Sequence, residues 1–261
     1  MSEFITSHDG TRIAYDREGS GPPVILIGGA MQFRGFDPTT VAMARLLAGK
    51  GFTVVNYDRR GRGESATATS FTLDDDIADI AALMAEVGGE AALFGNSSGG
   101  AIALAAASAG LPVAKIATWE VPLGVEDGTD GAEFFTGLRA VLDAGDNEAA
   151  VEYFMKDMPP QWLAGAKASP GWPIMVGLAP SLSADAESLA RAQSAPRAEL
   201  WASVTQPVLA MVGSSTQPLM DAAADSIVSS LPDARRLAIS GENHAWEPES
   251  MATTLAEFFA A

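Results

Sequence analysis

The chain contains no cysteine. That absence excludes a disulfide framework, a zinc–thiolate or iron–sulfur site, and cysteine catalysis. Histidine is nearly missing as well, with two in 261 residues. Cations are scarce: 16 Lys and Arg face 33 Asp and Glu, and the net charge is −17. Binding a phosphate backbone needs clustered Lys and Arg, so nucleic acid is not an expected partner. An anionic membrane surface is disfavoured for the same reason. No apolar run reaches the ~20 residues of a membrane helix. The most apolar stretch, 101–107, is cut off by Gly110 and Pro112. Met1-Ser2-Glu3-Phe4 lacks the basic region and apolar core of a signal peptide. A cytoplasmic protein without membrane contact is expected, with monomer and homodimer both open.

The composition itself is globular. A hydrophobic fraction of 48% with 19% charged residues is not that of a disordered chain. A chain of this length buries ~70–75% of its unfolded surface and needs no metal or disulfide to hold it.

Short apolar runs alternate with helical patterns, which predicts a parallel sheet covered on both faces. The runs are 24–27, 52–57, 91–94, 116–119, 208–212 and 236–239. Most are bounded by Gly, Pro or Asp and rich in β-branched residues. Between them, Leu73, Ile77, Ile80, Ala81, Met84 and Val87 repeat at helical spacing. Thr72 is placed to cap that helix, and Asp74, Asp75 and Asp76 fall in its first turn, against the positive end of the dipole. First-turn acids are common for that reason alone, so the triplet is not read as a metal site. A helix is expected over 41–48, and a last one presents Met251, Leu255, Phe258 and Phe259. Residues 124–197 break the alternation with helical patches, six prolines and many large apolar side chains, among them Phe134, Trp162 and Trp172. They read as a helical insertion whose apolar residues form its own core, line a pocket, or both.

The strongest local signal is Gly95-Asn96-Ser97-Ser98-Gly99, directly after an apolar run and before the small, helix-forming 100–107. This is G-x-S-x-G in a strand–turn–helix context. The small neighbours let a sharp turn lift a serine hydroxyl above the sheet edge, beside a helix N-terminus that favours developing negative charge. The plain alternative is a Gly/Ser turn at a strand end. A nucleophilic serine needs a base. His8 lies in a turn before any core strand. His244, in Gly241-Glu242-Asn243-His244-Ala245-Trp246, follows the last strand, where doubly wound sheets place their sites. His244 is the expected base for Ser97.

With these motifs the chain resembles the α/β-hydrolase superfamily over nearly its whole length. Tyr57-Asp58-Arg59-Arg60-Gly61-Arg62-Gly63-Glu64-Ser65 looks like the segment those enzymes carry after their fourth strand, and the elbow and histidine loop match in order and spacing. The resemblance implies an α/β-hydrolase fold: an eight-stranded, mostly parallel sheet flanked by helices, with a helical cap between strands six and seven. Residues 1–123 and 198–261 would form the core and 124–197 the cap. Asp58 and its arginines are read as organising their loop.

Two departures stand out. The family usually has His-Gly after its third strand, and here it is Gly28-Gly29. The next residue usually donates a backbone N–H to the oxyanion hole, which points to Ala30, with Met31 the alternative. The other donor is Ser98, immediately after the nucleophile. The acid usually follows the seventh strand in a Gly-x-x-Asp turn, but the turn here is Gly213-Ser214-Ser215-Thr216. Some members place it after the sixth strand, including haloalkane dehalogenases and zearalenone-type lactone hydrolases. The latter resemble this chain more closely, and they point to Glu120 in Trp119-Glu120-Val121-Pro122. Asp221 and no acid at all are the rivals. Met31, Trp119 and Trp246 are expected to line the substrate pocket.

The expected function is cofactor-free and metal-free hydrolysis of a carboxylic ester or lactone of a small hydrophobic molecule through a Ser-His-Glu triad. A C–C bond hydrolase would use the same residues, and a perhydrolase would keep the triad and also cleave esters. A lyase or oxygenase on the same scaffold would cleave esters little or not at all, and a small-molecule receptor would bind without turnover.

Overall fold

A computed structural model describes residues 2–261. Its centre is one nine-stranded sheet in the order β1-β2-β4-β3-β5-β6-β7-β8-β9. β1 (Glu3–Thr6) and β2 (Arg12–Gly19) form an antiparallel hairpin, and β2 runs antiparallel to β4 (Thr53–Tyr57). From β4 the sheet is parallel through β3 (Pro23–Ile27), β5 (Ala91–Asn96), β6 (Val113–Trp119), β7 (Val208–Ser215) and β8 (Ala234–Glu242). These are the six strands expected from the apolar runs. β9 (Ala245–Trp246), two residues long, folds back on β8 and makes nine strands rather than eight.

Strand parity decides which side chains meet which helices, because successive residues point to opposite faces. Ile25, Ile27, Leu93, Ile116, Val208, Ala210 and Val212 pack on one face against α2 (Leu73–Glu86), α3 (Ser98–Ser108) and α10 (Pro218–Ser230). Val24, Leu26, Phe94, Ala117, Trp119, Leu209 and Met211 pack on the other, against α1 (Pro38–Ala48) and α11 (Pro248–Ala260). Thr72 and Asp75 close a reciprocal capping box at the start of α2. The face of α2 departs from the expected one. Ala81 is exposed, while Asp76 and Asp79 are buried. Arg59 pairs with Asp76 and Arg60 with Asp79, so the loop after β4 draws two acids inward.

Between β6 and β7 lie α4 (Asp130–Asp143), α5 (Asn147–Met155), α6 (Pro160–Ala168), α7 (Trp172–Gly177), α8 (Leu182–Arg191) and the short α9 (Arg197–Leu200). α4 to α8 share an apolar cluster built on Leu138, Val151, Phe154 and Leu182, with Trp162 and Trp172 packed against it. The buried Arg197 guanidinium fastens the base of this segment. It donates to Gly124 O (2.5 Å), Ala192 O (3.0 Å) and Ser226 Oγ (2.6 Å), joining the entry and exit strands of the insertion to α10. Among the described residues no helix is long and apolar enough to cross a membrane.

Core burial and helix capping differ in weight here. Leu93→Ala, at a fully buried position of β5, is expected to destabilise by ~2–5 kcal/mol, cavity included. Thr72→Ala removes only a cap and is expected to cost about 1 kcal/mol. Urea unfolding of both variants checks the ranking, and an equal shift in midpoint would contradict it.

Candidate active site

The loops at the carboxyl ends of β3, β5, β6 and β8 converge. Ser97 stands between β5 and α3 at φ 56°, ψ −127°. Its N–H donates to Trp119 O (2.8 Å), and Gly100 N–H returns to Ser97 O (2.9 Å). The flanking glycines are required by contact. A Cβ on Gly95 would lie 2.4 Å from Gly99 O, and one on Gly99 2.2 Å from Ile27 O. The crossing of strand and helix therefore leaves no room for a side chain, and the half-buried serine takes the strained backbone.

Strain is concentrated here. Among the described residues six non-glycine residues have positive φ, and all but Asp127 belong to these loops: Met31, Ser97, Glu120, Asn243 and His244. Each such conformation costs of order 1–3 kcal/mol and persists only where the surroundings hold it. Asn243 and His244 are the two central residues of the β8–β9 hairpin, at φ 52° and 66°. Positive φ at both positions is what a tight type I′ turn requires. The turn lifts the imidazole at the end of the sheet.

Glu120 follows β6 directly. Its N–H donates to Met211 O (3.0 Å) on the neighbouring strand. Its carboxylate is almost fully buried, at 3% exposure. Oε2 accepts from His244 Nδ1 (2.7 Å) and Oε1 from Gly213 N–H (2.9 Å). Burial pushes the carboxyl pKa up, but these hydrogen bonds prevail and hold it below the usual glutamate value. The Thr216 hydroxyl adds to that lowering, although it makes no hydrogen bond of good geometry. The turn without an acid thus serves as a cradle for the acid of the strand beside it. Asp221 is elsewhere: exposed, in the first turn of α10, and paired with Arg236. His8 is exposed in the β1–β2 turn.

The loop after β3 carries Ala30, half-buried, and Met31, buried at positive φ. Both pack into the cluster of the inserted helices. Sequence reasoning missed what supports this loop. Gln32 Oε1 accepts from Gly29 N–H (2.6 Å) and from Asn96 Nδ2 (2.8 Å). Gln32 thereby joins the loop to the residue before the nucleophile, beside the position where the expected histidine is missing. Ser98, 1% exposed, opens α3.

Two expected pocket residues belong to the core. Trp119 is fully buried and Trp246 is 8% exposed. Their rings pack edge-to-face at 5.6 Å, within the cluster shared with α11. The reason is parity: Trp119 points to the same face as Ala117. Trp119 acts beneath the site, where its Nε1–H donates to His244 O (3.3 Å). The side chain that does stand near the imidazole is Trp162 of α6, 6.4 Å between ring centres.

Asp58 and its arginines organise their loop, as read. Asp58 accepts from Arg34 N–H (2.8 Å) and Glu64 N–H (2.8 Å) and pairs with the Arg34 guanidinium (3.0 Å). Arg59 and Arg62 reach further, to the buried Asp185 of α8, which no local motif announces. Of the acidic triplet, Asp75 serves the helix cap, Asp76 pairs with Arg59 and Asp74 faces solvent.

The model of the alpha/beta hydrolase family matches residues 24–258. A solved alpha/beta hydrolase from Sphaerobacter thermophilus is 35% identical, with a TM-score of 0.85 over 98% of this chain and 100% of that one. An esterase from Exiguobacterium antarcticum shares the fold at 20% identity, with a TM-score of 0.72 and full coverage of both chains. An enol-lactonase from Burkholderia xenovorans does so at 15% identity, with a TM-score of 0.69 over 99% of this chain and 100% of that one. A non-heme haloperoxidase from Rhodococcus erythropolis is 33% identical over 100 residues, which are 37% of this chain and 35% of that protein, so the match spans about a third of the relative's length. With the elbow, the strand order and the family match all in place, the chain belongs to the alpha/beta hydrolase family.

Proposed function

We propose that the protein is a serine hydrolase that cleaves a carboxylic ester or lactone of a small hydrophobic molecule. The observation that carries this reading is the 2.7 Å contact from His244 Nδ1 to the buried Glu120 carboxylate, at the same sheet edge as the strained Ser97. The carboxylate fixes the ring tautomer, so the other ring nitrogen is the free base. That nitrogen takes the Ser97 proton as Oγ attacks the carbonyl carbon. The amides of Ala30 and Ser98 hold the tetrahedral oxyanion, each contributing ~3–4 kcal/mol to lowering the barrier. His244 returns the proton to the leaving alkoxide oxygen, and the alcohol departs, leaving Ser97 acylated. Water, deprotonated by the same histidine, then attacks the acyl carbon and frees the acid.

The acyl side of the pocket would be apolar. Met31 and Ala30 share a cluster with Phe33 of their own loop and with Trp162, Trp172 and Met175 of the inserted helices, which would act as a cap. A lactone is preferred to a linear ester because the acid on β6 follows the zearalenone-type arrangement, and the enol-lactonase has the same fold. A perhydrolase reading has its own support in the haloperoxidase stretch. It would use the same serine, with hydrogen peroxide replacing water in the second half.

Hydrolysis of p-nitrophenyl acetate tests the assignment. Ser97→Ala is expected to lower kcat by about 10⁶-fold and Glu120→Gln by about 10⁴-fold, both while remaining folded. A Glu120→Gln variant within threefold of wild type would remove Glu120 from the mechanism. A negative protein repels anionic substrates. An ester bearing a free carboxylate should therefore show a raised KM that falls with added salt, whereas the KM of a neutral ester should stay constant. Peracid formation from acetate and hydrogen peroxide at a rate above ester hydrolysis would favour the second reading.

A further inference from the structure

Beneath the oxyanion loop lies a buried cluster of four charges that sums to zero. Arg59 and Arg62 are 2% and 0% exposed, and Asp76 and Asp185 are both 0% exposed. Arg59 pairs with Asp76 (2.5 Å) and with Asp185 (2.5 Å), and Arg62 pairs with the other Asp185 oxygen (2.5 Å). Two arginines would satisfy a purely structural aspartate. Asp185 takes a third partner: the Ser98 hydroxyl donates to its Oδ1 (2.7 Å). Burial works to raise the Asp185 pKa, but the two guanidiniums and Ser98 hold it low, so the carboxylate stays charged.

The cluster ends on the backbone of the site. Arg62 Nη1 donates to Gly29 O (2.6 Å) and Gln32 O (3.3 Å), and Arg59 Nη1 to Gly28 O (3.3 Å). The Gly29 carbonyl and the Ala30 N–H belong to one planar trans peptide. A guanidinium that pins the oxygen on one side therefore aims the N–H to the other. It also polarises the peptide and strengthens that donor. The second donor, Ser98, is the first residue of α3, whose N–H has no acceptor within its own helix. Its side chain is tethered to the same carboxylate.

On these grounds, and resting on the hydrolase reading above, we propose that Asp185 is a positioning residue. One carboxylate, carried by the inserted helix α8, aims both oxyanion donors: Ser98 directly and Ala30 through Arg62. The inserted segment then sets the rate of the chemical step as well as shaping the pocket.

The test uses the full-length protein with p-nitrophenyl butyrate, phenylboronic acid as a tetrahedral-adduct former, and amide hydrogen exchange. Asp185→Asn is expected to lower kcat by about 10²-fold, the scale of a lost oxyanion donor, with KM within threefold. The boronic acid inhibition constant should rise in parallel. Ser98→Ala keeps all four charges and should lower kcat by about tenfold with the same split. In Asp185→Asn, exchange should quicken at residues 28–32 and 97–100 but not in β8. A folded Asp185→Asn protein with kcat and boronate affinity within threefold of wild type overturns the proposal. So does a loss carried wholly by KM, which reports a structural role in pocket shape. If Asp185→Asn does not fold, Ser98→Ala decides, and an unchanged kcat overturns the proposal. If the wild type neither cleaves the ester nor binds the boronate, the hydrolase reading fails instead. Exchange in whichever variant folds then judges the positioning alone: quickened exchange supports it and unchanged exchange refutes it.

Discussion

A carboxylate removed from water keeps its charge only if donors replace the lost hydration. Two carboxylates at this sheet edge are held under that constraint, and their donors account for most of the site. Glu120 recruits the imidazole of His244 and the N–H of Gly213. Asp185 recruits Arg59, Arg62 and Ser98. Neither set can move without exposing a charge to an apolar interior. Desolvation, normally a cost of burial, here becomes the force that fixes geometry.

The same edge holds the backbone strain. Ser97, Glu120 and the Asn243–His244 pair sit in conformations that ordinary residues avoid; the parallel sheet holds the first two and the β8–β9 turn holds the pair. Ser97 N–H is bound to Trp119 O and Glu120 N–H to Met211 O, so each strained residue continues a strand ladder on one side. Trp119 links three of these places: its carbonyl holds Ser97, its indole holds the His244 carbonyl, and Glu120 follows it in the chain. That explains a fully buried tryptophan beneath a polar site better than a role in contacting substrate.

How far the sequence spoke depended on whether a constraint was local. The elbow was legible because the glycines that avoid collision with Gly99 O and Ile27 O lie within two residues of Ser97. Five of the six parallel strands were legible because burial on both faces makes them largely apolar, whereas β8 is mostly exposed and was read only from the run 236–239. β1 and β2 were not read from the residues, because β1 has no buried residue and the buried apolar run of β2 is only Ile13-Ala14-Tyr15 among polar neighbours. Trp119 was misread as lining a pocket, although alternation with Ala117 already placed it on the α11 face. Gln32 and Asp185 carried no local signal at all. Gln32 also bonds the nearby Gly29, but its reach to Asn96 and that of Asp185 to Ser98 span 64 and 87 residues, which only the fold brings together.

The acid position proposed for Glu120 has a geometric logic. β6 and β7 are adjacent parallel strands, with Trp119 in register with Met211, and β8 follows β7. Placing the acid after β6 rather than β7 moves its backbone one strand, about 4.8 Å, further from the histidine turn. A glutamate is longer than an aspartate by one methylene, which recovers part of that distance, and the rest must be reached by crossing the end of β7. Gly213 stands at that crossing. A Cβ there would lie 3.1 Å from Glu120 Oε1, tighter than ordinary contact, while the bare glycine offers its N–H to the same oxygen. The proposed longer acid thus uses an open path and a donor at Gly213, a position that is also glycine in the usual Gly-x-x-Asp turn. A Gly-x-x-Thr turn, which read alone looks like the loss of an acid, leaves room for the one proposed next door.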